Sequence, residues 1–254
     1  MKEGLVNKKK INIIKLPFLL VWTGLLLLWL GVSTAVYTCI VLCLRPFSYN
    51  ASYRVARNWC TLAVFFSGIR IRVEGIEKID SKGYYMFVIN HSSAYDIPIL
   101  VTSLPFHINF IAKKELFSIP FFGQGIRALG HIPLNRSNAR KAHESIKKAV
   151  KQLHEKHRSM ILFPEGTRSL TGRVGEFKRA SFALVKEAGI KLVPVLIHGA
   201  DKVAHKKSWY LTPGYVKVVI SDPINEKTIA HASKEELMEM VHARIVSMQE
   251  DQYN

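Results

Sequence analysis

The sequence predicts a single α/β domain with a mixed, mostly parallel sheet flanked by helices, preceded by N-terminal membrane helices. From residue 69 onward, short aromatic and β-branched runs alternate with stretches whose apolar residues repeat at helical spacing. That alternation is typical of strands and helices packed in α/β layers. Before it lies an uncharged apolar stretch long enough to cross a bilayer. We therefore assign residues 1–68 to membrane-associated helices and residues 69–254 to the α/β domain.

The apolar stretch runs from Leu16 to Leu44, 29 residues without a charge. It is longer than the apolar region of a signal peptide, and no small-residue cleavage site with a polar flank follows it. Trp22, Trp29 and Tyr37 are suited to a membrane–water interface. We predict a membrane segment, and a helix buried in the protein core is the alternative.

The charge on both sides of this stretch predicts that it enters the bilayer and returns. A straight helix of this length would be about 44 Å long, against a hydrocarbon core of about 30 Å. Gly24 and Gly31 offer places to bend, and a single tilted span is the alternative. Basic residues disfavour export of either flank; they are Lys2, Lys8, Lys9, Lys10, Lys15, Arg45, Arg54 and Arg57.

The next stretch, residues 52–66, predicts an amphipathic helix. Four apolar residues share one helical face, and two arginines lie away from it; the four are Val55, Trp59, Leu62 and Phe66. Such a face suits a membrane interface and suits packing on the following domain equally well.

Seven apolar runs within the second region are predicted to be strands. Helices are predicted over residues 137–155 behind a Ser137 cap, after Phe177, and after the capping box that Ser233 and Glu236 would form. The predicted strands are Ile69–Val73, Tyr84–Ile89, Ile108–Ala112, His131–Leu134, Met160–Phe163, Leu192–Ile197 and Tyr215–Ile220.

The charge balance favours a polyanionic partner. The chain has 254 residues with 36 Lys and Arg against 19 Asp and Glu, a formal net charge of +17. Anionic lipid, a phosphorylated substrate and nucleic acid all meet that condition. No nucleic-acid-binding motif accompanies the charge, and the long apolar stretch argues against nucleic acid. The three cysteines show no metal-ligand spacing, so we predict no metal site.

A histidine and an acid follow the second predicted strand. His91 and Asp96 lie in the segment Asn90-His91-Ser92-Ser93-Ala94-Tyr95-Asp96, and strand exits of α/β sheets are where ligands bind. A neutral imidazole can take a proton from an alcohol if a carboxylate fixes its tautomer. The pair can meet if His91 lies in the loop and Asp96 in the first helical turn. The alternative is that Asp96 simply interacts with the helix dipole.

Two further strand exits carry arginines. Arg136 follows the predicted strand ending at Leu134, where its guanidinium is placed to hold a phosphate with two hydrogen bonds; a solvated arginine is the alternative. The segment Phe163-Pro164-Glu165-Gly166-Thr167-Arg168-Ser169 combines an acid, a glycine, a hydroxyl and an arginine. A plain turn would explain its proline and glycine but not the whole set, so we predict a ligand site.

Taken in order, four blocks resemble the motifs of the glycerophospholipid acyltransferases, and most closely the 1-acyl-sn-glycerol-3-phosphate (lysophosphatidate) acyltransferases. The blocks are NHSSAYD, KKEL with PFFGQGIRALGHIPLNR, FPEGTRS and VPVLIHG. The resemblance covers roughly residues 70–200. It departs from the family at Asn135, where Asp is common, and at Ala180, where Gly is common; these positions bear on the acceptor, not on the reaction.

The resemblance implies a single acyltransferase domain that moves a fatty acyl group onto the sn-2 hydroxyl of lysophosphatidic acid and gives phosphatidic acid for phospholipid biosynthesis. Acyl-CoA or acyl carrier protein would be the thioester co-substrate, with no other cofactor. It implies that His91 is the general base and Asp96 its partner. The implied substrate-binding residues are Arg136, Glu165, Gly166, Thr167 and Arg168.

Two other functions remain open. One is acyl transfer to glycerol 3-phosphate or another lysolipid; the other is a non-catalytic basic protein that binds membrane lipid, which leaves His91 and Asp96 unexplained. We expect a membrane location with the catalytic domain on the cytoplasmic face (the inner membrane if bacterial). Three glycosylation sequons would modify the proposed site if it faced a lumen; they begin at Asn50, Asn90 and Asn135.

Overall fold

The computed structural model describes residues 15–134 and 139–253, which form a seven-stranded sheet with helices on both faces. The strand order is β1-β7-β6-β2-β5-β3-β4, and every neighbouring pair is parallel except β6 and β7. All seven predicted strands are present, with ends shifted by at most two residues. The strands are β1 Ile69–Glu74, β2 Met86–Ile89, β3 Ile108–Lys113, β4 Ile132–Leu134, β5 Ser159–Leu162, β6 Leu192–His198 and β7 Gly214–Ile220.

Nine α-helices lie in the described ranges. The predicted capping box is present, because Ser233 and Glu236 each bond the other's backbone N–H at the start of the last helix. The predicted Ser137 cap lies outside the described residues. The helices are α1 Leu16–Leu44, α2 Tyr49–Phe66, α3 Asp96–Ser103, α4 Phe122–Ala128, α5 Ala139–Lys156, α6 Ser181–Ala188, α7 Ala200–Val203, α8 Glu226–His231 and α9 Lys234–Glu250.

The central strand β2 separates two hydrophobic layers. Its four residues are fully buried, and their side chains alternate between the sheet faces. Phe87 and Ile89 join the layer that contains residues of α1, α2 and α3, whereas Met86 and Val88 join the layer under α5, α6 and α9. A strand buried on both faces reads as a continuous apolar run, which is why this one was visible in the sequence.

Helices α1 and α2 pack against each other in antiparallel directions. Trp59 Nε1 donates to Ser33 Oγ (3.0 Å), and the rings of Trp29 and Phe66 are 4.8 Å apart. Part of the predicted apolar face of α2 therefore meets α1. The residues that α2 buries most deeply are instead Ser52, Tyr53, Cys60, Ala63 and Val64.

Helix α1 is apolar enough to cross a membrane, with a mean hydropathy of 2.2 over its most apolar window. It continues unbroken through Gly24 and Gly31, so the predicted bend within this stretch is wrong. Glycine can take part in the backbone hydrogen bonds of a helix, so it need not end one. The chain instead reverses direction in the turn before Ser48, the N-cap of α2.

The same helix contacts the α/β domain along most of its length. Leu211 N donates to Thr23 Oγ1 (2.9 Å), and at the other end Arg45 Nε donates to the carbonyl of Ala128 (2.8 Å). These contacts are 22 residues apart along α1, or about 33 Å at 1.5 Å per residue. Helix α1 is therefore docked on the domain from Thr23 to its C-terminal end.

Candidate active site

The site lies where β2 and β5 end, at one edge of the sheet. The two strands are parallel neighbours, so the segments that follow Ile89 and Leu162 leave the sheet at the same edge. Asn90 fixes the first segment, because its side chain donates to the carbonyl of Ile197 (3.0 Å) and accepts from the N–H of the same residue (2.8 Å). This amide clamp ties the end of β2 to β6.

His91 and Asp96 meet as the spacing predicted. His91 Nδ1 lies 2.7 Å from Asp96 Oδ2, and the carboxylate, with no exposed surface, is the first residue of α3. The same oxygen accepts the backbone N–H groups of Ser92 (2.9 Å) and Ser93 (3.0 Å). Three donors thus hold a buried acid that orients the imidazole, leaving Nε2 without a partner among the described residues.

The imidazole is also held from the side. Its ring stacks on Phe163 with centroids 4.3 Å apart, and the side chain remains 22% exposed. An imidazole fixed at one nitrogen and on one face, with its other nitrogen free, has the features of a general base. Phe163 begins the segment predicted to be a ligand site, but its stacking on His91 becomes visible only once β2 and β5 are neighbours.

Glu165 lies in the protein interior rather than on a ligand-facing surface. Its Oε1 accepts the backbone N–H of His91 (2.9 Å), and its carboxylate also accepts the backbone N–H of Gly175. Burial raises the pKa of this carboxyl, and these two hydrogen bonds oppose the rise. A second hydrogen bond joins the same two loops, because the N–H of Ser169 donates to the carbonyl of His91 (2.7 Å). Glu165 therefore holds the two loops together.

The rest of the EGTRS segment is more exposed. Gly166 has a left-handed φ of +71°, and a Cβ there would lie 3.2 Å from Lys178 Nζ, which explains why glycine suits this turn. Thr167 is exposed and Arg168 is partly buried. Among the described residues, no hydrogen bond or ion pair involves the Arg168 guanidinium. Arg136, the other predicted arginine, lies outside the described residues.

Lys206 is a site neighbour that the sequence did not single out. Its Nζ donates to Thr167 Oγ1 (3.2 Å) and to the carbonyl of Arg168 (3.1 Å). A lysine 38 residues downstream carries no local signal in the sequence, because only the pairing of β6 with β2 brings its loop here. Together with Arg168, it places two cations on the exposed side of the site among the described residues.

Among residues 15–134 and 139–253, no group of three His, Cys, Asp or Glu side chains is arranged to hold a metal ion. The chemistry that these residues offer is proton transfer at His91 beside guanidinium and ammonium groups. That combination defines a class: an α/β enzyme acting on a phosphorylated or anionic alcohol.

Comparison with known proteins identifies the family. A family model described as Acyltransferase matches residues 70–198. A 1-acyl-sn-glycerol-3-phosphate acyltransferase of Pseudomonas aeruginosa is 31% identical over 204 residues, covering 78% of each chain. The chloroplastic enzyme LPAT1 of Arabidopsis thaliana is 32% identical over 78% of this chain, which spans only 54% of that relative's length.

The fold matches as well. The crystal structure of the 1-acyl-sn-glycerophosphate (LPA) acyltransferase PlsC from Thermotoga maritima superposes with a TM-score of 0.83, at 28% identity, covering 94% of this chain and 98% of that one. The chain belongs to the acyltransferase family. This confirms the predicted family, fold class and enzyme class, and the reaction predicted from the motifs is the one named for these relatives.

Proposed function

We propose that this chain transfers a fatty acyl group from acyl-CoA or acyl carrier protein to the sn-2 hydroxyl of 1-acyl-glycerol-3-phosphate, giving phosphatidic acid. The observation that carries the proposal is the contact between His91 Nδ1 and Asp96 Oδ2 at 2.7 Å, beside the EGTRS loop. The non-catalytic alternative does not explain why a buried carboxylate orients a partly exposed imidazole.

In the proposed reaction, His91 Nε2 takes the proton of the acceptor hydroxyl as its oxygen attacks the thioester carbonyl. The negative charge of Asp96 stabilises the imidazolium that results. When the tetrahedral intermediate collapses, the C–S bond breaks and the thiolate takes the proton back from Nε2. Direct transfer of this kind needs no enzyme nucleophile, and the sequence contains no G-x-S-x-G motif.

The acceptor phosphate is assigned to cations at the same edge. We propose Arg168 and Arg136 as its ligands, because charge-assisted bonds from guanidinium groups suit phosphate. Gly166 and Thr167 are assigned to the wall of this subsite. Glu165 is assigned a different part from the one that the motif implied: both of its backbone contacts act on loops, so it positions His91 instead of binding the glycerol.

We also propose that the catalytic domain lies on the cytoplasmic face of its membrane. Basic residues flank α1 on both sides, and positively charged flanks stay cytoplasmic. The sequon at Asn90 supports this side, because that amide is fully engaged by Ile197 in the folded protein. Glycosylation of Asn90 would remove this clamp.

An acyl-transfer assay tests the activity directly. Radiolabelled acyl-CoA and acyl carrier protein are each offered with lysophosphatidic acid, glycerol 3-phosphate or lysophosphatidylcholine, in mixed micelles that contain the full chain. We expect labelled phosphatidic acid and stoichiometric thiol release with lysophosphatidic acid. Preference for another acceptor would move the assignment to that substrate, and lipid binding without thiol release would favour the non-catalytic alternative.

A further inference from the structure

An exposed apolar loop lies on the active edge of the sheet, directly after β3. Three of its side chains are unusually exposed for their type: Leu116 at 37%, Ile119 at 45% and Phe121 at 47%. Phe117, in the same segment, is buried and anchors the loop. We call Leu116, Ile119 and Phe121 the apolar loop residues.

The backbone is strained at Phe121, the last of these residues. Phe121 has φ 59° and ψ −57°, and the N–H of Phe122 donates to the carbonyl of Pro120 (2.7 Å). A bulky side chain at positive φ is a true outlier, and such strain collects where function requires it. In this conformation the Phe121 side chain remains 47% exposed.

The loop lies next to helix α1, because the helix that follows the loop packs on α1. The helix that follows it, α4, packs so closely on α1 that a Cβ on Gly125 would lie 2.9 Å from Thr38 Oγ1. The end of α4 also accepts the hydrogen bond from Arg45. The apolar loop therefore projects beside the C-terminal half of the helix that is apolar enough for a bilayer.

The charges around the loop complement an anionic membrane. Lys113, Lys114 and Arg127 flank it, with Glu115 as the nearby acid, 3.9 Å from Lys113. A cavity of about 490 Å³ beside the loop is lined by Lys114 and Arg127 with one further cation, Lys148, and one further acid, Glu144, so cations remain in excess. Basic residues around exposed apolar ones are typical of surfaces that bind anionic lipid.

We propose that the apolar loop residues insert into the bilayer as a second anchor, separate from α1, and turn the active edge toward the lipid. The loop follows β3 as His91 follows β2, and these strands run parallel through β5, so both lie at one edge. The proposed lipid substrate explains why insertion would be useful, and this is the only point at which the inference rests on the proposed function. Insertion itself can be measured without turnover.

The test measures depth with a spin label. In full-length protein with Cys39, Cys43 and Cys60 replaced, Ile119→Cys is labelled and bound to vesicles of phosphatidylcholine and phosphatidylglycerol. We expect the label to become accessible to oxygen and shielded from a nickel chelate. The matched control is Lys191→Cys, at an exposed position just before β6 and therefore at the opposite edge; its label should stay accessible to nickel. Nickel access at Ile119 equal to that at Lys191 would refute insertion.

A variant separates anchoring from folding. Phe121→Gly removes the ring and also relieves the positive φ, so we expect the midpoint of thermal unfolding to stay or rise. Acyl transfer to acceptor embedded in vesicles should fall several-fold, whereas transfer in mixed micelles should be retained. Equal rates in both would contradict the anchor. Labels that insert in a protein without acyl transfer would instead reject the proposed function and keep the anchor.

Discussion

His91 is the side chain whose removal should affect turnover most. We expect His91→Ala to lower kcat roughly 10²–10⁴-fold, the usual contribution of a positioned general base. Asp96→Asn should also lower kcat, because an amide can still accept the N–H groups of Ser92 and Ser93 but no longer stabilises an imidazolium. Steady-state kinetics on protein with unchanged thermal unfolding provides the measurement. Full turnover by folded His91→Ala would reject the mechanism.

The two charged side chains of the EGTRS segment, Glu165 and Arg168, should affect KM and kcat differently. Arg168→Ala should raise the acceptor KM by about 10- to 150-fold, because a charge-assisted hydrogen bond contributes about 1.5–3 kcal/mol. Glu165→Gln should instead lower kcat with a small change in KM, because it disturbs the loop that holds His91. The exposed Arg173, in the same loop, provides a control as Arg173→Ala.

Two outcomes would contradict these assignments. A changed donor KM in Arg168→Ala with an unchanged acceptor KM would show that this arginine does not bind the acceptor phosphate. An acceptor KM raised by Glu165→Gln, with kcat retained, would return Glu165 to the substrate-binding residues that the motif implied. Arg136→Ala tests the other arginine in the same way.

Strands β3 and β4 are joined by a buried histidine that makes the fold sensitive to acid. Phe110 N donates to His131 Nδ1 (3.3 Å), and the two rings stack 3.7 Å apart. Burial, aided by the charge of Arg158, lowers the pKa of His131 from 6.5 to about 3. The folded protein therefore keeps this imidazole neutral, whereas the unfolded chain takes up a proton.

As a result, acidification should favour the unfolded state. As pH falls from about 6.5 toward 3, each pH unit should remove about 1.4 kcal/mol of unfolding free energy through His131; above pH 6.5 this contribution is constant. His131→Asn keeps an acceptor for Phe110 and cannot titrate, so its stability should fall less steeply with acid. Denaturant unfolding in micelles at several pH values measures both slopes. Parallel slopes would show that His131 does not titrate on unfolding.

The strands were predictable because their signal is local. Most of the seven are short apolar runs bounded by polar or turn residues, whereas β1 alternates isoleucine with arginine; the four apolar residues of β2 indicate burial on both faces. The face of α2 was less predictable. Apolar spacing identified Trp59 and its neighbours, but only the packed structure reveals that Tyr53 and Cys60 lie deeper, with Tyr53 Oη donating to the carbonyl of Phe106 (3.0 Å).

The site divides in the same way. His91 and Asp96 are five residues apart, so sequence spacing could predict their contact. Glu165 was identified by its motif, but its hydrogen bond to the His91 backbone joins positions 74 residues apart, so sequence spacing could not predict that contact. Lys206 reaches the site through strand pairing alone, and the stacking of Phe163 on His91 depends on the pairing of β5 with β2. Contacts between residues close in sequence can be predicted from their spacing, whereas contacts between strands depend on the order of the strands in the sheet.

For the whole molecule, the docking of α1 bears on how the chain meets the bilayer. Its contacts near Thr23 and at Arg45 are both with the α/β domain. A helix held at Thr23 and at Arg45 by one folded domain cannot place those two residues on opposite sides of a bilayer, unless the domain itself enters the hydrocarbon. We therefore expect α1 and α2 to enter one leaflet together and both flanks of α1 to remain cytosolic.

Thiol labelling from outside the cell tests this topology. Cys39, Cys43 and Cys60 are replaced and Gly4→Cys, outside the described residues, provides the single thiol; Lys191→Cys reports the domain in a parallel protein. In intact spheroplasts of a bacterial host we expect an impermeant maleimide to label neither position until the cells are lysed, because positively charged flanks stay inside. Labelling of both after lysis shows that the thiols are reactive. Labelling at Gly4→Cys from outside, with Lys191→Cys protected, would establish a true span and require α1 to leave its contact at Thr23.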